Sequence, residues 1–433
     1  MKSLMPFLSA GPMTLRYLSV FDGDNVRKGL VDITIDAGKI ARIAASDDPT
    51  GRIEGPEIDL RGYYALPGFI DAHTHLVGGD VVQGAADYAS SRRTGEAIGM
   101  QAFRTAEAAR LTLSRGVTTV RDLTGRAYLD VQVRDAIAEG IVEGPRVLTS
   151  GLGLTITGGH VHMRCVEVDG PKEVRREVRS HVKAGVDWIK LMGVTGGMAT
   201  VGRHPLAPQF TRKEIRAGVD EAHRANLRVA AHAHGPEGIR NAVLEGVDTI
   251  EHGIYLDDNA AEIMAEKGLV LVPTLLNEKG WIDGLAAGTL PAAAIARRQA
   301  FADEGFPYPT PEQRIAMARK HGVRVIAGTD VGGNANCRHG MNAIEMAMLA
   351  DAGMSNIEAL RAGTSASAEA LGLKDCGRIA VGLPADIVLS ARDISNDIHC
   401  LSAPETIAAV FKGGRLAAAA DPKLRRAFDR VTA

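Results

Sequence analysis

The segment FIDAHTH, residues 69–75, carries three metal-capable side chains in a stretch that otherwise has the composition of a buried strand. In a strand, residues i, i+2 and i+4 share one face, so Asp71, His73 and His75 would point the same way. Two imidazoles at this spacing can converge on one metal ion. The pair alone is a weak signal, because hydrogen-bonded histidines are more common than ligands. Asp71 would lie deeper, either orienting a ligand or making a structural hydrogen bond.

Other polar residues stand at the ends of other strand-like runs. His232 and His234 occur in VAAHAHG, His252 in TIEHG, Asp330 in AGTD and Lys190 in DWIKLMG. The C-terminal ends of barrel strands meet at one mouth, so we expect these side chains to lie close together. Histidines placed only by core packing would have no reason to cluster there. The set therefore indicates a metal site.

Lys190 is the unusual member of this set, because an ammonium group cannot ligate a cation and is costly to bury unpaired. Burial lowers the pKa of a lysine and makes the neutral amine available. That amine can react with carbon dioxide to give a carbamate, whose two oxygens could bridge two metals. Without the carbamate, the positive charge of two divalent cations would be offset only by the negative charges of Asp330 and a shared hydroxide. For a lysine taken alone, reaching outward to solvent or pairing with a carboxylate is the commoner outcome.

The elements that must position these residues alternate along the chain. Between residues 65 and 377 we count eight strand-like runs, most of them followed by a helical run. Strands alternating with helices predict right-handed crossovers and a parallel sheet, and eight such units fit a closed, TIM-like (β/α)8 barrel of the α/β class. An open doubly wound sheet would be expected to carry a GxGxxG turn after its first strand, which is absent. Thr211, with Glu214 three residues on, predicts a capping box.

The two ends of the chain have a different pattern. Residues 1–64 and 378–433 show alternating runs separated by glycine-containing turns, which predicts a small antiparallel β-sandwich built from both termini. The barrel, residues 65–377, would be inserted between its halves. The stretch 276–311 separates the seventh strand from its helix and is a candidate lid, with a surface decoration as the equal alternative.

Composition limits the classes of partner. The chain has 433 residues, a formal net charge of -2 and 45% hydrophobic residues, with no basic excess that would indicate nucleic acid. No apolar run is long enough to span a bilayer, and the first residues are too interrupted for a signal peptide. Four scattered cysteines without a CxxC motif fit a reducing compartment. We expect a cytoplasmic protein with no nucleic-acid or membrane partner.

The motifs GFIDAHTH, WIKLM, AAHAHG, IEHG and AGTD, with the late GRIAVGLPADIVL, resemble the amidohydrolase superfamily over nearly the whole chain. TITGGH and EAHRANLRVAAHAHGPEGIRNAVLEGVDTIEHGIYLDD are similar to its prolidase-like branch, the bacterial Xaa-Arg/Lys/Pro dipeptidases and carboxypeptidases with two metals. The resemblance implies a homo-oligomer. It also favours His232 over His234 as the metal ligand on the fifth strand, a choice that residue spacing alone leaves open. It implies the following ligands: His73, His75 and Asp330 on one metal, His232 and His252 on the other, and carboxylated Lys190 between them.

The predicted chemistry is hydrolysis of an amide-type C–N bond in a dipeptide, an N-acyl amino acid or a related amide or carbamate. Two divalent ions, for which Zn²⁺ fits the ligands best and Mn²⁺ or Co²⁺ are alternatives, would acidify a shared water to a bridging hydroxide and polarise the carbonyl. Asp330 would accept the proton and return it to the departing nitrogen. His160 and Tyr255 are candidate donors to the developing oxyanion, with loop-capping or packing as the alternative.

Two alternatives to this prediction remain open. A mononuclear cyclic-amide hydrolase or deaminase of the imidazolonepropionase type expects one metal and no ligand lysine on the fourth strand. A non-catalytic scaffold of the same fold expects a missing ligand.

Substrate contacts are predicted from position alone. A substrate carboxylate would suit a guanidinium, and Arg203 and Arg338 follow the fourth and eighth strands, although each is also typical of a solvated loop. His234 and Trp281 complete the candidate substrate-binding set.

Overall fold

The computed structural model describes residues 11–48, 55–77, 97–197, 204, 206–288, 307–334 and 336–432. The strands are β1 Met13–Val20, β2 Val31–Asp36, β3 Lys39–Ala45, β4 Glu57–Asp59, β5 Tyr64–Pro67, β6 Phe69–Thr74, β7 Val117–Asp122, β8 Arg146–Thr149, β9 Gly153–Thr155, β10 Cys165–Glu167, β11 Trp188–Thr195, β12 Arg228–Ala233, β13 Thr249–His252, β14 Val270–Val272, β15 Arg324–Val325, β16 Ile387–Ser390, β17 Ile407–Lys412 and β18 Arg415–Ala419.

The helices alternate with the strands through the middle of the chain. They are α1 Ile98–Ser114, α2 Leu129–Ala138, α3 Gly170–Ala184, α4 Arg212–Arg224, α5 Pro236–Glu245, α6 Asp258–Lys267, α7 Leu275–Ala286, α8 Pro311–His321, α9 Ile344–Asp351, α10 Asn356–Ala362, α11 Ser365–Leu371 and α12 Pro422–Thr432. Within the ranges given above, none of these helices is both long enough and apolar enough to cross a membrane.

Eight parallel strands form the predicted TIM-like barrel: β6, β7, β8, β11, β12, β13, β14 and β15. Main-chain hydrogen bonds from the residues after β15 close it, with Ala72 N donating to Ala327 O at 3.0 Å and Asp330 N to His73 O at 2.7 Å. The short β9 pairs with β11, and Asp187 N, just before β11, donates to Thr149 O of β8 at 2.9 Å. All eight residues of β11 and all six of β6 are buried, as expected for strands covered on both faces.

Local sequence explains where one central helix begins. The side chain of Thr211 accepts a hydrogen bond from Glu214 N, and Glu214 Oε2 accepts one from Thr211 N at 2.7 Å. This is the predicted capping box, and it satisfies two main-chain N–H groups at the start of α4. The helix places its buried face against α3 and the neighbouring strands.

The two ends of the chain meet in a second layered unit, the predicted sandwich. Its strand order is β18-β17-β16-β5-β1-β2-β3, with β4 also paired to β1. The expectation of a wholly antiparallel unit is wrong, since β1 pairs in parallel with β4 and β5. Strands β1, β2 and β3 alternate in direction, and β4 and β5 then run in the direction of β1. A bulge at Tyr17, whose φ is 62°, separates the residues of β1 that pair with β4 from those that pair with β5.

The sandwich and the barrel share one apolar core. Leu66, Val388 and Val410 from the terminal strands belong to the same buried cluster as Phe69 and Val117 of the barrel. Strand β5 begins at residue 64 and pairs with β16, so the chain enters the barrel directly from the sandwich. Segment limits at 64/65 and 377/378 remain our proposal.

Helix α7 occupies the start of the stretch proposed as a lid. It follows β14 and carries Trp281, which is half-buried. Residues 289–306 of that stretch lie outside the described residues, so the lid remains a prediction.

Candidate metal centre

The predicted ligand residues come together at the C-terminal mouth of the barrel. His73 is on β6, and His75 follows its end. Four imidazole rings form a continuous group, in which the ring of His73 lies 5.2 Å from that of His252, and His232 lies 4.5 Å from His252 and 4.4 Å from His234. Strand ends from β6, β12 and β13 thus supply one cluster, which is the convergence expected at this face of a barrel.

Asp330 lies at one side of the cluster, beside the histidines of β6. Its Oδ1 is 2.9 Å from His75 Nε2 and 3.6 Å from His73 Nε2. Ligand atoms of His73, His252 and Asp330 all lie within 4.8 Å of one another. His252 and Asp330 both have left-handed main-chain torsions, with φ of 72° and 55°. Such torsions are costly for residues other than glycine and occur at functional sites more often than elsewhere.

A second group of donors lies on the other side. The ligand atoms of His232, His234 and His252 are also within 4.8 Å of one another. His232 is 5% exposed, whereas His234 is partly exposed at the rim. Both histidines of the AHAHG motif are therefore within reach of one ion, and the preference for His232 remains a prediction.

Lys190 lies beneath both groups, fully buried on β11. In the parallel pairing of β11 with β12, Lys190 lies opposite Ala230. His232 is two residues, or about 6.6 Å, further along β12. The Lys190 side chain is close enough for its charge to lower the pKa values of His232 and His252. Burial lowers the pKa of Lys190 to about 8, although the nearby Glu251 carboxylate acts in the opposite direction. Within the described residues, the Lys190 Nζ has no hydrogen-bond partner.

The protonation states of the cluster fit a metal site. Burial lowers the pKa of His73 to about 4 and holds the pKa values of His232 and His252 well below the usual range, so their lone pairs are free. His232 Nε2 is buried and, among the described residues, lacks a hydrogen-bond partner. Two buried nitrogens without partners are costly unless a ligand satisfies them. Neutral imidazoles with a carboxylate are donors typical of divalent transition metals.

Sequence analysis did not identify a buried ion pair behind the cluster. Glu251 Oε2 is 2.7 Å from His73 Nδ1, and Glu251 Oε1 accepts from Arg121 Nη2 at 2.9 Å. Both charged side chains are 0% exposed. Burial opposes ionisation of Glu251, but Arg121 and His73 outweigh it and hold the Glu251 pKa far below its usual value. The only sequence signals were a glutamate directly before His252 and an arginine inside the apolar run VTTVRDL.

The two candidate oxyanion donors lie at the edge of the cluster. His160, in the loop between β9 and β10, has its ring 4.2 Å from the ring of His232. A Cβ at Gly197 would lie 2.2 Å from His160 Nδ1, so this glycine leaves room for the imidazole. Tyr255 is half-buried, and its main-chain N donates to His234 O at 3.0 Å. The ring of His160 therefore lies next to the metal-capable histidines, whereas Tyr255 is placed beside His234 by its main chain, and its ring lies 6.1 Å from that of Tyr308.

Asp71 has a structural hydrogen-bonding pattern. Its Oδ1 accepts from His73 N and Thr329 N, and its Oδ2 accepts from Thr329 Oγ1 and Asn342 Nδ2. Burial raises the Asp71 pKa to about 6. These bonds join β6 to the chain after β15, where Asp330 follows.

The candidate substrate residues are dispersed. Trp281 is on α7, one turn beyond Asn277, and Arg203 lies outside the described residues. Arg338 is exposed and lines a cavity of about 300 Å³ between α1 and residues 401–407. The neighbouring His339 is buried beneath it, with Nε2 3.2 Å from His75 O.

A (β/α)8 barrel with histidines, an aspartate and a buried lysine gathered at its mouth defines a class of metal-binding barrel hydrolases. Residues 64–417 match the model of the amidohydrolase family, and the chain belongs to that family. It is a hydrolase that acts on carbon–nitrogen amide bonds.

Three similarities illustrate the range of that family. Ochratoxinase of Aspergillus niger is 29% identical over 91% of this chain and 84% of that enzyme. The crystal structure of a Xaa-Pro dipeptidase with bound methionine is 31% identical, with a TM-score of 0.79, covering 94% of this chain and 99% of that one. Imidazolonepropionase of Paracoccus denitrificans is 27% identical over 86% of this chain and 91% of that enzyme.

Proposed function

We propose that this protein is a binuclear metal-dependent amidohydrolase that cleaves a dipeptide, an N-acyl amino acid or a related amide or carbamate. The observation that carries the proposal is Lys190. Its buried amine has no hydrogen-bond partner among the described residues, and its charge would act on His73, His232, His252 and Asp330 alike. A carbamate at this nitrogen would place an anion beside both groups of donors.

The ligand assignment is the one that the resemblance to the prolidase-like branch implies, and the ligand atoms of His252 lie within reach of both groups of donors. His73, His75 and Asp330 would hold one ion, and His232 with His252 the other, with the carbamate of Lys190 shared; Zn²⁺ suits these donors. When bound, divalent ions acidify water and polarise a substrate carbonyl.

The remaining chemistry falls to side chains of this protein. Asp330 would take the proton from the attacking water and return it to the leaving nitrogen. Burial raises the Asp330 pKa, but His73 and the hydrogen bond with His75 outweigh burial and hold it below its ordinary value, which keeps the carboxylate ionised. His160 and Tyr255 would donate hydrogen bonds to the oxygen that becomes negative.

The substrate class rests on two relatives. By their names, one acts on Xaa-Pro dipeptides and the other on ochratoxin. We therefore place dipeptides and N-acyl amino acids first. Trp281 and His234, both partly exposed, would offer an apolar and a polar contact to such a substrate.

Metal content per chain tests the proposal, measured by elemental analysis on wild type, Lys190→Ala and Lys190→Met. The expected result is close to two metals in wild type and fewer in both variants, with loss of amide hydrolysis. Lys412→Met is the matched control. Lys412 is another largely buried lysine, at the end of strand β17 in the sandwich, and its Nζ donates a hydrogen bond to Gly144 O. Lys412→Met should retain both metals.

A single metal that survives Lys190→Met would contradict the binuclear proposal. It would favour instead the mononuclear cyclic-amide hydrolase or deaminase, for which the similarity to imidazolonepropionase is the supporting observation.

A further inference from the structure

The carboxylate of Asp330 is held from both sides. Its Oδ1 faces His75 Nε2 at 2.9 Å and His73 Nε2 at 3.6 Å. Its Oδ2 accepts a hydrogen bond of 2.5 Å from Asn277 Nδ2, on α7. The same Asn277 nitrogen is 3.1 Å from the main-chain oxygen of Asp330. The two carboxylate oxygens therefore have different partners, one on the side of the histidines and one on the side of α7.

The orientation of the Asn277 amide is itself determined by a neighbour. Asn334 Nδ2 donates to Asn277 Oδ1 and to Asn277 O, both at 3.1 Å. A primary amide donates only through nitrogen, so this bond assigns the oxygen of Asn277 to Asn334 and its nitrogen to Asp330. The side chains of Asn277 and Asn334 belong to residues only 7% and 6% exposed, which reduces competition from water.

The helix that carries Asn277 is anchored at its first turn. Glu345, on α9 and 0% exposed, accepts from Leu275 N at 2.9 Å and from Leu276 N at 2.7 Å. The preceding Thr274 has a left-handed φ of 53°, and its hydroxyl is 2.7 Å from His252 Nδ1. Asn277 thus projects from a rigidly placed helix start that also contacts a predicted ligand.

We propose that Asn277 is a positioning residue that sets the rotation of the Asp330 carboxylate. This inference rests on the proposed function. Rotation about the Cβ–Cγ bond would turn the plane of the Asp330 carboxylate away from the histidines, and the bond from Asn277 Nδ2 restricts that rotation. The amide thereby holds one carboxylate oxygen toward His73 and His75.

Kinetics of Asn277→Ala and Asn277→Asp test the inference in the metal-loaded enzyme. The aspartate variant keeps the shape and replaces the donor with an acceptor. We expect kcat to fall about 10- to 100-fold, as for other groups that orient metal ligands, with KM changing less than about twofold. Lys279→Ala, on the exposed side of the same helix, is the control and should leave both constants unchanged. An unchanged kcat in Asn277→Ala would overturn the inference.

A second readout does not depend on activity. The rate at which a chelator removes metal is measured in wild type, Asn277→Ala, Asp330→Asn and the double variant. We expect faster loss in Asn277→Ala, and no further effect of Asn277→Ala in the Asp330→Asn background, because the two residues act as one unit. Additive effects would indicate a merely structural role and overturn the inference.

The two proposals fail separately. If wild type binds metal but cleaves no amide, the proposed function fails while the chelator cycle still tests the coupling of Asn277 to Asp330. If wild type cleaves amides and Asn277→Ala matches it, only the inference about Asn277 fails.

Discussion

At the scale of single residues, His73 depends on a carboxylate that lies behind it in the barrel. Glu251 bonds His73 Nδ1, which directs Nε2 toward Asp330 and the proposed metal. Arg121 neutralises Glu251 and also donates to Ala72 O, while its guanidinium lies 4.3 Å from the centroid of the Trp188 ring. A carboxylate that orients a metal-binding histidine raises the basicity of the imidazole and selects its tautomer.

Replacement of this carboxylate should weaken metal binding. In Glu251→Gln, His73 loses a charged partner and Arg121 becomes a buried charge without a counter-ion. We expect the metal dissociation constant to rise about 10- to 100-fold and the thermal midpoint to fall. Chelator competition and thermal melts measure the two effects. Glu107→Gln, which removes an exposed carboxylate paired with Arg110, should change neither. Wild-type metal affinity in Glu251→Gln would exclude this role.

At the scale of elements, the turn that ends β11 is built from glycines that make room for histidines. Gly197 has a φ of 72°, and a Cβ there would lie 2.2 Å from His160 Nδ1. Gly196 has a φ of 85°, and a Cβ there would lie 2.5 Å from the Cβ of His234. The turn thus determines where two candidate substrate-facing imidazoles can sit.

Gly197→Ala should therefore lower turnover by displacing His160. Gly268→Ala is the matched control: Gly268 also has a left-handed φ, 67°, but a Cβ there would meet nothing within 4 Å. Both variants should lose about 1 to 2 kcal/mol of stability from main-chain strain. Only Gly197→Ala should lower kcat, by about tenfold or more if His160 stabilises the oxyanion. Equal kcat values in the two variants would argue against a catalytic position for His160.

The carboxyl group of Glu345 accepts hydrogen bonds from the first residues of helix α7, and its ionisation destabilises the folded protein. Burial raises the pKa of Glu345 from 4.5 to about 8, so the folded protein binds this proton more tightly than the unfolded chain does. Stability from this group is fully present below about pH 4.5 and declines as the pH rises toward 8.

Glu345→Gln removes that titration. The free energy of unfolding of the variant minus that of wild type should increase as the pH rises from 4.5 to about 8 and then level off. Denaturant titrations at several pH values give the difference. Glu262→Gln, at an exposed position on α6, should follow wild type at each pH. A difference between Glu345→Gln and wild type that does not vary with pH would show that Glu345 does not titrate in this range.

At the scale of the whole molecule, barrel and sandwich are joined by a shared core. Val388 and Val410 of the terminal strands and Phe69 of the barrel lie in one buried cluster. Arg378 and Arg361 add polar links to the segment around Asp24. Neither unit can lose its structure without exposing apolar surface of the other.

We therefore expect thermal unfolding in one cooperative transition. Differential scanning calorimetry of the metal-loaded protein should give one peak, with the calorimetric enthalpy close to the van't Hoff enthalpy. Two separated transitions would show that the units are energetically independent. Val388→Ala, which weakens the shared core from the sandwich side, should lower the midpoint of the whole transition.

Sequence periodicity was sufficient to predict the barrel, most of its helices, the capping box at Thr211 and the clustering of the polar strand ends. These features are local, since alternation and capping act over a few residues. Parallel topology then forces the C-terminal strand ends together, so residues as distant as His73 and Asp330 could be placed near each other without coordinates.

Tertiary structure alone decided which polar groups touch. His73 meets Glu251 across 178 positions, and Asn277 meets Asp330 across 53. No local pattern marks such pairs, because each is set by the tilt and register of strands that are remote in sequence. The parallel pairing of β1 with β4 and β5 likewise depends on contacts between strands that are remote in sequence. The sequence by itself determined the fold class and the chemistry of the donor set. The packed barrel decided which residues orient those donors. A polar side chain needs a protein hydrogen-bond partner only when it is buried, and these side chains become buried only when the barrel has formed.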